Sequence, residues 1–405
     1  MTSSPSDREK VVSKLPAALW QPLKVRTAQL GIALQDAVAE GLSAWRNLGA
    51  NLQTVDTAGA DTFSTWLPQG LWDGFRADAT ARGVSGIQGL AQSVQLWLDS
   101  NPAPSVERPT IVRRKIICNQ KGGVGKTTIA AGLAEAYAED SEKLYPVRHM
   151  KQMSENNLEA EIQELVGLGW RVLVVDFDPQ CHLTKQFGQE IIPRNADSLA
   201  KHMIGEGKGD IRDLVMPVAE GVFGGRLSLL PGCRDAFLID LGLARARARE
   251  AALERALAPL EEDFDCIIID CPPTLGLSMD TAIYYGRRRE GERPGASGIG
   301  IVVLAEDSSA DAYELLVEQI EDARRDLRID IDYLGLIVNQ YDGRRGYIAT
   351  SSLEEWKAIK DPRVVAVIPD RAQQREAVRM KEPLLSYEPA CEQAMNIRAL
   401  AREIA

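Results

Sequence analysis

Lys121-Gly122-Gly123-Val124-Gly125-Lys126-Thr127-Thr128 stands between an apolar run, Ile116-Ile117-Cys118, and a helical pattern from Ile129 to Ala138. Strand, glycine-rich turn and helix, in that order, form the context a phosphate-binding loop requires. The glycines let backbone N–H groups turn toward anionic oxygens, and the helix N-terminus adds partial positive charge. In such a loop Lys126 reaches the β- and γ-phosphates of a nucleotide, and the Thr127 hydroxyl ligates Mg2+.

The general pattern G-x-x-x-x-G-K-[ST] fails at its first position, where Gln120 stands. Lys121 brings a second lysine just before the glycine pair. Two other stretches carry acids at strand ends. Val172-Leu173-Val174-Val175-Asp176 runs into Phe177-Asp178-Pro179-Gln180, and Cys266-Ile267-Ile268-Ile269-Asp270 runs into Cys271-Pro272-Pro273. A continuous apolar run ending in an acid reads as a buried parallel strand that delivers its carboxylate to the sheet's C-terminal edge. Asp270 fits a carboxylate that holds Mg2+ through water.

These three stretches resemble the ParA/MinD family of ATPases, and residues from about 112 to 405 resemble its ParA branch throughout. The resemblance implies an α/β fold, a doubly wound and mostly parallel sheet with helices on both faces. It implies ATP and Mg2+ as cofactors. Residues Lys121, Gly122, Gly123, Val124, Gly125, Lys126, Thr127 and Thr128 would hold the nucleotide. Lys121 would reach across a homodimeric nucleotide sandwich to the partner's phosphates. Asp178 would orient or activate the attacking water, with Lys121 and Lys126 as catalytic lysines. Asp176 would support the Mg2+ shell formed with Thr127 and Asp270. Asn339, at a strand end, would touch the base, and Pro369 would flank adenine. The family's late basic residues contact the DNA backbone in the closed dimer. Here those are Arg371, Arg375, Arg379 and Lys381, with Arg344 and Arg345 nearby. Such contacts act by counterion release, so they are non-specific and salt-dependent. A centromere-bound partner protein would speed hydrolysis, and the cycle would move plasmid or chromosomal DNA on the nucleoid.

The N-terminal hundred residues contain a repeat. Residues 10–46 and 62–98 align without gaps at an offset of 52. Leu15-Pro16 matches Leu67-Pro68, Leu19-Trp20 matches Leu71-Trp72, Gly31 matches Gly83, and Trp45 matches Trp97. Each unit reads as a short strand, a proline at a helix start, a helix, a glycine break and a second helix. This pattern resembles the ribbon–helix–helix DNA-binding fold, whose paired strands enter the major groove. Two copies in one chain would make a single-chain pseudo-dimer. Period-2 alternation turns Val11, Ser13, Leu15, Phe63, Thr65 and Leu67 inward. Lys10, Val12, Lys14, Thr62, Ser64 and Trp66 would then face DNA, with Lys10, Lys14, Thr62 and Ser64 as the polar contacts to an operator. A helical dimerisation domain is the other reading of these residues.

The expected organisation is an N-terminal DNA-binding or dimerisation domain (1–100), a linker with three prolines (101–114), and the ATPase domain (115–405). The 405 residues are 45% apolar, and the net charge is −11, so DNA contact must come from local basic patches. The stretch Met1 to Glu9 is unlike a signal or transit peptide. No run of 18 apolar residues occurs, and the last helix lacks a basic amphipathic face, so no membrane partner is expected. The six cysteines form no C-x-x-C pair and read as reduced core thiols of a cytoplasmic protein. An extra helix is expected at 154–168, from Leu158, Ile162, Leu165 and Val166. An Ala/Arg-rich helix is expected from Ala244 to Leu260, and another from Asp307 to Leu327. The triplet Arg287-Arg288-Arg289 and Arg293 read as a surface loop. Two alternatives stay open: a nucleotide-sensing transcriptional repressor, and an ATPase that positions a protein cargo.

Overall fold

Two eight-residue strands, β1 (Arg8–Leu15) and β2 (Asp61–Pro68), pair antiparallel, with Val12 opposite Ser64 at the centre. Val11, Leu15, Phe63, Thr65 and Leu67 are buried, while Lys10, Val12, Lys14, Thr62, Ser64 and Trp66 are exposed. The alternation therefore sorts the ribbon into an inner and an outer face as its sequence predicts. Each strand leads into two helices: α1 (Ala17–Leu30) and α2 (Leu34–Asn47), then α3 (Leu71–Ala81) and α4 (Gly86–Ser100). Gly31 and Gly83, equivalent in the repeat, take φ +66° and +68° just past the first helix of each unit. Only glycine enters that region without cost from a Cβ.

The two units interlock reciprocally. Trp45 Nε1 donates to Gln92 Oε1 at 2.9 Å, and Trp97 Nε1 donates to Glu40 Oε2 at 2.9 Å. Glu40 and Gln92 are repeat equivalents, as are Trp45 and Trp97. One core holds Val11, Leu23, Leu42 and Trp45 together with Phe63, Phe75, Val94 and Trp97. Neither unit could close such a core alone. At Gly41 the Ser93 carbonyl oxygen lies 2.6 Å from where a Cβ would stand, which brings α2 and α4 close together.

The computed structural model describes residues 7–48, 52–154, 157–306 and 310–405. It divides into Met1–Val106 with Glu142–Leu144, and Glu107–Ser141 with Tyr145–Ala405. The second unit is built on strands β3 (Arg113–Cys118), β6 (Val172–Asp176), β7 (Met216–Pro217), β8 (Leu227–Leu230), β9 (Cys266–Asp270), β10 (Gly298–Leu304), β11 (Tyr333–Tyr341) and β12 (Val364–Pro369). Their order across the sheet is β12-β11-β10-β3-β9-β6-β8-β7. Every neighbouring pair is parallel except β7 with β8. Strands β6 and β9 are buried along their whole length, which is why they read as unbroken apolar runs.

The remaining strands, β4 (Leu144–Ser154) and β5 (Asn157–Val166), form a separate two-stranded sheet. This corrects the helix expected at 154–168. Leu158, Ile162 and Leu165 do follow a helical period. However, the preceding Tyr145-Pro146-Val147 cannot extend a helix and supplies a strand edge for this segment to pair with. The helix expected over 244–260 is also broken. Ala248 adopts φ +46°, with short helices at Ile239–Leu243 and Ala252–Leu257 on either side. Of the helix expected from Asp307 to Leu327, residues 307–309 lie outside the described residues, and Ala310–Leu327 is helical.

Helix α5 (Lys126–Ala138) follows the glycine-rich loop and packs against the last helix, Glu392–Glu403. At Gly132 the Ile397 side chain lies 2.8 Å from a notional Cβ. Arg398 is fully buried and donates through Nε to both oxygens of Glu139, at 2.8 and 3.0 Å. Removing either partner of such a pair leaves an uncompensated buried charge, at about 3–5 kcal/mol. Glu135, one turn earlier, accepts the Leu385 N–H with one oxygen at 2.8 Å, and the other oxygen has no partner. Burial pushes its carboxyl up to about 8. The folded chain therefore holds a proton that the unfolded chain has released, so stability falls as pH rises from the ordinary carboxylate range toward 8. Glu135→Gln should lose less stability than the parent between about pH 5 and pH 8 in urea titrations. Equal losses would place that ionisation elsewhere.

Candidate nucleotide site

The loop between β3 and α5 is held open by its own neighbours. Gly123 and Gly125 take φ +77° and +88°. A Cβ on Gly125 would lie 2.1 Å from Asn339 Nδ2. Asn339 is buried and donates through Nδ2 to the Val124 carbonyl at 2.9 Å. Gln340 reaches the Gly123 carbonyl at 3.4 Å. From the other side, Asn119 accepts the Lys121 N–H at 3.0 Å and donates to the Val302 carbonyl at 2.6 Å. Two buried asparagines thus fix the loop backbone, leaving Gly122 and Gly123 exposed.

Lys126 is buried, and Nζ donates to the Lys121 carbonyl at 3.1 Å. Burial lowers its pKa, opposed by Asp270 and Asp178. Lys121 lies 3.6 Å from Glu306 Oε2. Asp176 and Asp270 stand opposite each other in the β6–β9 register. Asp176 Oδ2 accepts the Thr184 N–H at 2.8 Å and the Thr184 hydroxyl at 2.6 Å. Its carboxyl is pushed up to about 6 by burial. Asp178 Oδ1 accepts the Gln180 N–H at 2.9 Å, which shapes the turn after β6. A pocket beside it is lined by Asp178, Gln180, Phe237, Pro272 and Thr274.

Asp270 is the unusual group. Both of its carboxylate oxygens, and Oδ1 of Asp176, are buried without a well-formed hydrogen bond, although the Thr127 hydroxyl faces Asp270. Burial and then the Asp176 charge hold the Asp270 carboxyl well above its ordinary range, opposed by Thr127 and Lys126. Unpaired carboxylate oxygens in a dry strand end suit a hard cation. No group of three or more metal-binding His, Cys, Asp or Glu side chains occurs among the described residues. A Mg2+ ion here would take few ligands from carboxylates and the rest from a hydroxyl, water and phosphate, as that ion prefers.

The sequence-predicted residues fall into two groups. Lys121 through Thr128, Asp176, Asp178, Asp270 and Asn339 gather at the C-terminal edge of β3, β6, β9 and β11. Asn339 holds the loop, as described above. Pro369 lies at the end of β12, opposite Tyr341. The basic residues lie on two segments. Arg344 and Arg345 sit on a 3-10 turn after β11, and Arg371, Arg375, Arg379 and Lys381 lie along and beside the helix Ala372–Met380. Asp370 joins the two, pairing with Arg345 at 2.9 Å and Arg375 at 2.6 Å. Arg344 pairs with Asp342, and Arg371 with Glu392. Arg379 and Lys381 are exposed. Carboxylates take up Arg287, Arg288 and Arg289: Glu254, Asp330 and Glu261 respectively.

Sequence reasoning missed Asn119, Thr184 and Glu306. Asn119 carried a signal: a short polar side chain two residues before a turn lysine suits an Asx-type bond. Thr184 and Glu306 are brought in only by tertiary structure.

A parallel sheet with this loop and these strand-end acids defines a P-loop nucleotide-binding protein. Residues 115–164 match the CobQ/CobB/MinD/ParA nucleotide binding domain, and residues 151–287 match an AAA domain. The chain is 30% identical over 295 residues to the chromosome-partitioning ATPase Soj of Thermus thermophilus, covering 72% of this chain and 95% of that protein. It is 26% identical over 289 residues to the sporulation initiation inhibitor protein Soj of Bacillus subtilis, covering 71% and 96%. The fold is similar to that of a Cyanothece McdA–ATP complex, with TM-score 0.55 and 19% identity over 73% of this chain and 97% of that one. The chain belongs to the ParA/Soj family of chromosome-partitioning ATPases. Among the described residues no helix is long and apolar enough to cross a membrane.

Asn119→Ala removes one bond to the Lys121 backbone and one to β10. It should weaken ATP binding by up to roughly thirtyfold, measured calorimetrically, at about 1 kcal/mol for each of the two hydrogen bonds lost. Unchanged affinity would show that the loop keeps its shape without it.

Proposed function

We propose that this protein is an ATP-dependent DNA segregation ATPase that works in the cytoplasm on the nucleoid. ATP is its substrate; Thr127 and Asp270 would hold Mg2+, which would supply charge neutralisation to the phosphates. The loop backbone and Lys126 seat the phosphates, and Asp178 orients the attacking water. Asp176, tied to Thr184, acts from behind Asp270. Phosphoryl transfer needs positioning and charge more than covalent help, which suits a site of lysines, amides and carboxylates.

The observation that carries the reading is Lys121. Its ammonium lies 3.6 Å from Glu306, while Lys126 points into the loop and bonds to its backbone at the Lys121 carbonyl. A second lysine at this place has work to do in a neighbouring subunit. Two chains close on ATP, each giving Lys121 to the other's phosphates. Closure aligns Arg344, Arg345, Arg371, Arg375, Arg379 and Lys381 into a surface that grips duplex DNA without sequence preference. A centromere-bound partner protein stimulates hydrolysis, and hydrolysis releases the grip.

The N-terminal unit supports a second DNA contact, with an operator. Its exposed ribbon face carries Lys10, Lys14, Thr62 and Ser64. A major groove admits a two-stranded ribbon and offers its base edges to such donors.

Lys121→Ala should bind ATP within about threefold of the parent, since uniform seating is left to Lys126 and the backbone. It should fail to form ATP-dependent dimers in sedimentation velocity. Full ATP-dependent dimer in the variant would remove Lys121 from the interface.

A further inference from the structure

The ribbon is two-fold in its backbone and asymmetric in its side chains. Val12 and Ser64 are equivalent positions of the repeat, and they are paired with each other. The local two-fold therefore passes through that pair. The reciprocal bonds Trp45–Gln92 and Trp97–Glu40 obey the same axis. Around it, Lys10 is paired with Trp66 and Lys14 with Thr62. Under the axis Lys10 maps to Thr62, and Lys14 maps to Trp66. The outer face thus presents lysine, valine and lysine from one strand, against threonine, serine and tryptophan from the other.

A homodimeric ribbon presents the same side chains twice, and its DNA site mirrors that symmetry. Here both halves come from one chain, and no outward position repeats its partner's residue. Lysine is a donor only, and in the major groove it selects the O6 and N7 acceptors of guanine. Threonine and serine hydroxyls accept as well as donate, so they tolerate more bases. Val12 and Trp66 are 61% and 50% exposed, and such apolar groups suit thymine methyls.

We propose that one chain, without a second copy, reads a non-palindromic duplex DNA site. Guanine preference is set by Lys10 and Lys14 on β1, and the strand carrying Thr62, Ser64 and Trp66 contributes a different, weaker preference. This rests on the ribbon's DNA-reading role proposed above. It means that recognition of the specific site does not wait for the ATP-driven dimer, because the pseudo-dimer is already covalent.

The test uses full-length protein without nucleotide and a pool of random-sequence duplexes. Repeated selection should enrich one motif that lacks inverted-repeat symmetry, bound at one chain per duplex in sedimentation. Rebuilding the motif as either perfect palindrome should weaken binding. The double variant Lys10→Ala, Lys14→Ala should lose roughly tenfold or more of its preference for the motif over random DNA. Its thermal unfolding should be unchanged, since both side chains are exposed. An inverted-repeat motif, two chains per site, or a preference untouched by the double variant would overturn the proposal. Failure to enrich any motif would overturn it together with the ribbon's operator role. ATP-dependent binding to random duplex would, in that case, still leave the partition cycle standing.

Discussion

Asp270 imposes the constraint on which the nucleotide-binding unit depends: a carboxylate at a strand end, fully buried, with the Thr127 hydroxyl facing it but no well-formed hydrogen bond to either oxygen. It can be kept there only because β9 is buried along its whole length between β3 and β6, so the backbone has no slack to turn it outward. The same register sets Asp176 opposite it and leaves Lys126 desolvated nearby. Like charges and burial raise the cost of ionising the acids, and burial raises the cost of protonating the lysine. Phosphate and a hard cation relieve both at once. Packing in the sheet would in this way set affinity at its edge.

The loop depends on a second kind of constraint, backbone fixed from both sides. Asn119 and Asn339 hold Lys121 and Val124 through buried hydrogen bonds, so the exposed glycines need little ordering when phosphate arrives. The basic surface is different in character. Arg344, Arg345, Arg371 and Arg375 are already paired with Asp342, Asp370 and Glu392. On a chain of net charge −11, phosphate must compete with these carboxylates. This surface on a single chain should therefore grip DNA weakly, and doubling it on closure would have a large effect on affinity.

The features legible in the sequence were those whose signal is local. Unbroken apolar runs ending in Asp176 and Asp270 specify buried parallel strands, and the loop's glycines specify the turn. The repeat was legible because equivalent residues recur in the core of both units, from Leu15 and Leu67 to Trp45 and Trp97. What escaped depends on distant partners. Leu158 and Ile162 carry a helical period that pairing with β4 overrides. Thr184 becomes the anchor of Asp176 only when the helix after β6 folds back over it. Asn339 was expected at the base, and its bond to Val124 is invisible until β11 is placed beside the loop. Of the carboxylates on the arginines, Asp342 and Asp370 lie close in sequence to Arg344 and Arg375, whereas the pairs Arg345–Asp370 and Arg371–Glu392 join residues 25 and 21 apart.

Nucleotide control of the grip on DNA is the step on which the proposed cycle turns. The most direct measurement is binding of full-length protein to random-sequence duplex DNA with ATP, with ADP and with neither, across a range of salt. The account predicts binding with ATP alone, falling steeply as salt increases. Binding to random duplex that is indifferent to nucleotide, or absent in all three states, would contradict it.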